Sequence, residues 1–161
     1  MRHCSGIIYG EIDLVNLTTV KWEWQVKSRV ALEMDDVQAA LEAAKSEAVK
    51  NAWIVSIAVV DDGGHPLGFL RLTDAAPLSA QIAFGKARTA AVARRESKFY
   101  EDVVKNGRTA FLSVSEFTTL EGGVPVIVAG QCVGAVGVSG VKSDQDAQIA
   151  AAGVQAILQR Q

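Results

Sequence analysis

Histidine and cysteine are nearly absent from this chain. Its 161 residues hold two of each, at His3, His65, Cys4 and Cys132. A zinc-type site needs about three or four ligands at short spacings, and no CxxC or comparable pattern occurs, so no metal site is expected. One possible disulfide is weak support for an oxidising compartment. Cys132 lies in an apolar run and reads as a small core residue. Long hydrophobic runs are missing too: no window approaches the roughly eighteen apolar residues of a membrane-spanning helix, so no membrane association is expected. Glu11 and Asp13 interrupt any hydrophobic leader, which sets a cytoplasmic location as the expectation.

A strong charge of one sign is also lacking. The formal net charge is −2, whereas nucleic-acid binding needs a basic face. Lys86, Arg88, Arg94, Arg95 and Lys98 do gather at helical spacing, and they read first as a solvated face of mixed charge. With 49% hydrophobic and 21% charged residues, the composition is that of a single soluble domain with a real core.

Residues 1–33 read as an N-terminal extension. Val20, Trp22, Trp24 and Val26 alternate with Lys21, Glu23, Gln25 and Lys27, the period of a strand with one wet face, so a strand is predicted at 20–30. A helix follows, capped by Asp35 or Asp36, with Val37, Ala40, Leu41, Ala44 and Ala48 on one stripe. Ile54–Val60 is apolar and β-branched, as in a strand buried on both faces. Asp62-Gly63-Gly64 supplies a hairpin turn, and Pro66–Leu72 returns as its partner.

Pro77 disfavours helix at Ala76, so 73–77 is a loop and a helix runs from there to about Val92. Ser97 caps a short helix that Asn106-Gly107 stops. Residues 111–117 fit either a strand or a helical turn. Strands at 125–129 and 132–138 precede a last helix from Ser143, where Ser143-x-x-Asp146 has the spacing of a capping box. Hairpin-joined strands with helices between and after them give an α+β fold: an antiparallel sheet with helices on both faces.

The chemistry concentrates between Ile54 and Thr89. His65 follows the turn beside Asp61 and Asp62; it reads as a titratable or metal-ligating group near a pocket, or as a plain turn histidine. Arg71 and Asp74 are spaced to pair locally, and Lys86 and Thr89 share a helix face. In Glu121-Gly122-Gly123, an acid precedes two glycines that let backbone approach a ligand or turn sharply. Gly137-Val138-Ser139-Gly140 is not a nucleophile elbow, because Val141 stands where that motif needs glycine.

Four blocks together resemble the GlcG/HbpS-like family, also found at the C-terminus of PduO-type cobalamin adenosyltransferases. They are VVDDGGHPLGFLRLTDA (59–75), KARTA (86–90), EGGVPV (121–126) and GAVGVSGVKSDQDAQIAAAG (134–153). The resemblance implies that 34–161 forms the family domain, a profilin-like α/β/α sandwich with a five-stranded antiparallel sheet. It implies a homo-oligomer that binds a small molecule, with haem or another tetrapyrrole as a possible cofactor. The motif positions carried over are Asp61, Gly64, His65, Arg71, Asp74, Lys86, Thr89, Glu121, Gly122 and Gly123. Of these, His65, Arg71, Asp74, Lys86, Thr89, Glu121, Gly122 and Gly123 are expected to bind ligand. Secreted haem-binding members carry an export signal, and none is visible here.

Three functions follow. The first is an oligomeric binding module for a tetrapyrrole or a small anionic metabolite. The second is an enzyme using His65, Glu121 and Asp61 as acid/base groups on a catabolic metabolite, with Lys86 or Arg71 as anion anchors. The third is a non-catalytic assembly protein with Trp22 and Trp24 at a subunit interface. The hairpin, loop and helix from Ile54 to Thr89 are expected to form one wall of the family pocket, with Glu121-Gly122-Gly123 as the opposite wall.

Overall fold

The computed structural model describes residues 29–160. Along them run α1 (Met34–Lys50), β1 (Ser56–Asp61), β2 (Pro66–Arg71), α2 (Pro77–Ala93) and α3 (Lys98–Lys105). A 3₁₀ turn (Thr109–Ser113), β3 (Gly123–Val128), β4 (Gln131–Ser139) and α4 (Ser143–Leu158) complete the order. The strands form one antiparallel sheet in the order β2-β1-β4-β3. The α+β class is as expected, with four strands rather than five among the described residues. Most of the strand predicted at 20–30 lies outside those residues; Arg29 and Val30, its last two, are not in a strand.

The sheet is covered on both faces. Side chains alternate along a strand, so β1 sends Ala58 and Val60 to one layer and Ile57 and Val59 to the other. The first layer is α2, which packs Ala83, Ala87, Ala90 and Ala91 onto Ala58, Val60 and Ala135. The second is α1 with α4, where Ala40, Ala44, Ile149 and Val154 meet Ile57, Val59, Val136 and Val138. Small residues let α2 lie close. A Cβ on Gly137 would stand 2.3 Å from the Ala83 carbonyl oxygen, so this glycine is fixed by helix–sheet contact.

Both hairpins use left-handed residues. Gly64 has φ +82° in the first; Ala129 and Gly130, at φ +48° and +78°, make the second, the signs a two-residue type I′ turn requires. The outer strands, β2 and β3, each carry a proline, Pro66 and Pro125.

Three caps differ from expectation. Helix α1 begins after Glu33, not after Asp35 or Asp36; Asp36 sits three residues inside and accepts the Glu33 N–H at 3.1 Å. Ser97 precedes α3 but its own backbone is already helical, and its hydroxyl is used elsewhere. It donates to Leu120 O at 2.7 Å and accepts the Gly123 N–H at 2.9 Å. Asp146 is not half of a capping box with Ser143, because its carboxylate is committed to Lys86 and to the Val141 N–H. For Ser97 and Asp146 a longer-range partner captured a polar group that local spacing had assigned to a helix end.

Candidate functional site

Strand register decides which expected residues can meet. Ser56 on β1 pairs with Arg71 on one side and Ser139 on the other, and Gly123 pairs with Gly137 near that same end. Asp61, at the far end of β1, pairs with Gly134, and His65 follows in the adjoining turn. Five residues of strand, about 17 Å at the usual rise, separate the two ends. Glu121 also precedes the edge strand opposite β2. His65 and Glu121 therefore lie diagonally across the sheet, so the turn end of the expected wall does not face 121–123 within one protomer, whereas Lys86 in its helix part packs against Gly122 and Gly123. Arg71 and Asp74 are at the Glu121 end of the strands, away from His65. Among the described residues no ion pair joins Arg71 to Asp74; Asp74 is exposed and left-handed at φ +72°.

At the His65 end, Asp61 organises the turn. Its Oδ1 accepts the Gly63 N–H at 2.9 Å and the His65 N–H at 2.8 Å. The His65 Nδ1 lies 3.2 Å from both carboxylate oxygens. Partial burial pushes the Asp61 carboxyl up, and the hydrogen bonds from His65 and Gly63 more than reverse this, leaving it below the ordinary aspartate value. The imidazole itself is 79% exposed. A carboxylate holding one ring nitrogen favours the N–H tautomer there and leaves the other nitrogen as an acceptor or ligand.

Beside this turn lies a cleft of about 350 Å³ between the β1–β2 turn, α2 and the 115–118 segment. Gly64 and Pro66, the neighbours of His65, form one side; Phe84, Gly85 and Arg88 form the floor, and Glu116 and Thr118 the far side. Phe84 stacks on Phe69 with ring centroids 5.1 Å apart. Thr89, expected to bind ligand, lies under the cleft with no exposure. It donates to Gly85 O and accepts the Thr118 N–H, both at 2.8 Å, so it fixes two lining residues to each other. Phe84, Glu116 and Thr118 were not singled out by sequence reasoning. Phe84 and Arg88 fall four apart on one helix, a spacing that could have flagged them.

The Glu121 block is a packing seam. Gly122 has φ +124°, and a Cβ there would be 2.9 Å from the Lys86 ammonium; a Cβ on Gly123 would be 2.1 Å from the Lys86 carbonyl. Lys86 is 3% exposed and its Nζ donates to Asp146 Oδ2 at 2.7 Å. Burial pushes the Asp146 carboxyl up, against the pull of Lys86 and of the Val141 and Gly140 N–H groups. Glu121 faces Lys98 at 3.7 Å, and its N–H donates to the Glu101 carboxylate. A second hollow of about 270 Å³ lies by Arg94, Gln131 and Cys132. Among the described residues no three His, Cys, Asp or Glu side chains gather as a metal-binding group.

The family model described as "Haem degrading protein HbpS-like" matches residues 32–155. The chain is 55% identical over 114 residues to "Protein GlcG" of Escherichia coli K12, covering 71% of this chain and 85% of that one. A crystal structure of a double mutant of Streptomyces reticuli HbpS superposes with a TM-score of 0.75 at 31% identity, covering 81% of this chain and 89% of that one. A PduOC:heme complex superposes with a TM-score of 0.72 at 29% identity, covering 79% and 95%. The chain belongs to the HbpS-like family.

Proposed function

From that membership we propose that the protein is a homo-oligomeric small-molecule-binding module whose ligand is haem or a related tetrapyrrole. The ligand rests in the cleft between the β1–β2 turn, α2 and residues 115–118. The observation that carries this reading is the His65–Asp61 pair in the turn beside the cleft: an exposed imidazole with one nitrogen held by a carboxylate, whose chain neighbours Gly64 and Pro66 line the cleft. That is the arrangement that orients a histidine for ligation. The PduOC structure that superposes on this chain is a heme complex, and the matching family is that of the haem-degrading protein HbpS.

The residues fit one face of such a group. His65 offers a nitrogen for iron, the stacked Phe84 and Phe69 offer a flat apolar surface, and Arg88 offers a charge for a carboxylate. When bound, haem would supply a redox-active iron centre. Its larger perimeter exceeds this open cleft, so the reading includes a second protomer as cover. The profilin-like sandwich with a fifth strand belongs to the same reading. An enzyme relying on His65 and Glu121 together is disfavoured by their placement at opposite ends of the strands.

Haemin titration of the purified protein tests the proposal. A saturable Soret band that weakens in His65→Ala is expected. Absence of saturation in the wild type overturns the haem reading, and an unchanged band in the variant removes His65 from it.

A further inference from the structure

Arg88 and Glu116 form an ion pair across the cleft just described. Arg88 belongs to the fourth turn of α2, a rigid element pressed on the sheet. Glu116 belongs to the irregular stretch between the 3₁₀ turn and β3. Both side chains are largely exposed, at 51% and 58%, and exposed pairs contribute little stability. Keeping this pair closed is therefore a weak constraint on the fold. It does, however, put a carboxylate on a guanidinium at the edge of a cleft floored by a stacked aromatic ring.

The base of the Arg88 side chain is packed against the hairpin turn. Gly64, left-handed at φ +82°, packs against the Arg88 stem so closely that a Cβ there would lie 2.6 Å from Arg88 Cγ. The hairpin turn thus clamps the base of the side chain and leaves its planar fork at the cleft. Bidentate recognition of carboxylates is what that fork does best. On the other side, Thr118 is pinned by its N–H to Thr89, while Ser113, Val114, Ser115 and Glu116 are all exposed. The glutamate side can swing while the arginine side stays.

We propose that Glu116 is an internal stand-in for a ligand carboxylate. Arg88 is the anion anchor of the cleft, and a planar ligand bearing a carboxylate displaces Glu116 to reach it. This rests on the cleft being the binding site proposed above, and it adds the ligand's chemical class and a built-in competitor. No bond is made or broken; one carboxylate exchanges for another on the same guanidinium.

Benzoate and benzamide serve as probes, because they share the ring and differ in the charge. Nuclear magnetic resonance titration follows the Arg88 side-chain Nε–H and the Thr118 amide. Benzoate is expected to shift both signals and benzamide neither. Glu116→Gln, which removes the competitor, should tighten benzoate by about three- to fivefold, the scale of an exposed pair. Arg88→Gln should weaken it by about tenfold or more, as expected for a lost charge-assisted bond. Arg88→Lys, which keeps charge without the fork, should be intermediate and controls for folding.

Equal shifts from both probes, or a Glu116→Gln affinity equal to wild type, overturn the proposal. Haemin against its dimethyl ester separates the two readings. If neither saturates, the haem reading fails and the benzoate result stands alone. If both bind equally, haem is held without Arg88 and the anchor assignment fails for that ligand.

Discussion

Lys86 Nζ and Asp146 Oδ2 are 2.7 Å apart with both side chains 3% exposed. This pair joins α2 to the first turn of α4, and Gly122 packs against it. The lysine expected to anchor a ligand has its ammonium on Asp146 and lines neither of the two hollows described above.

Removing one partner leaves a buried charge uncompensated. Lys86→Met or Asp146→Asn should each cost about 3–5 kcal/mol. Lys86→Met combined with Asp146→Asn should cost clearly less than the sum of the single changes. Urea unfolding of the four proteins measures the cycle, and additive losses would show that the two charges do not depend on each other.

Glu101 should govern part of the acid limb. Burial pushes its carboxyl up, but the hydrogen bonds from Lys105 and from the Glu121 N–H carry it below its ordinary 4.5. A folded value below the unfolded one adds stability that is present above about pH 4.5 and lost as pH falls through the lower, folded value. Glu101→Gln should therefore be less stable than wild type at pH 7 by about 1–3 kcal/mol, the cost of weakening a charged acceptor. The difference should shrink steadily below pH 4.5. A gap that stays constant with pH would refute the assignment.

Gly122→Ala should destabilise far more than Gly107→Ala. Both glycines have positive φ, at +124° and +93°, so both substitutions carry backbone strain. At Gly107 a Cβ meets nothing within 4 Å, whereas at Gly122 it meets the Lys86 ammonium and the Val138 carbonyl at 2.9 Å. Strain alone costs about 1–2 kcal/mol, and overpacking adds about 1–3 kcal/mol. Thermal unfolding of the two variants gives the comparison; equal losses would mean the seam is not tight.

What was legible in the sequence follows a physical pattern. The apolar run at 54–60, the glycines of the first turn and Pro77 each carry their structural instruction locally, and β1, the hairpin and α2 were placed to within about two residues. The family blocks also led to the right fold class. What failed was long-range. Ser97 and Asp146 look like caps because their spacing is right, yet their polar atoms bond to residues 23 and 60 positions away. The expected meeting of His65 with Glu121 failed for the same reason: only strand register reveals that they sit at opposite ends. Phe84 and Glu116 were invisible as a pair because nothing local connects an α2 ring to an irregular stretch thirty residues on.

The prolines of the two outer strands have a consequence for how copies of this chain can meet. A proline has no N–H to give, and within a sheet it is tolerated where that missing donor would face outward. Pro66 stands at the start of β2 and Pro125 inside β3, and β3 is further distorted by a register shift between Val126 and Ile127. Among the described residues each rim thus has a gap in its row of donors, which weakens the pairing of a foreign strand along it. Crowding the protein during refolding should accordingly yield soluble assemblies built from side-chain surfaces and not β-rich precipitate.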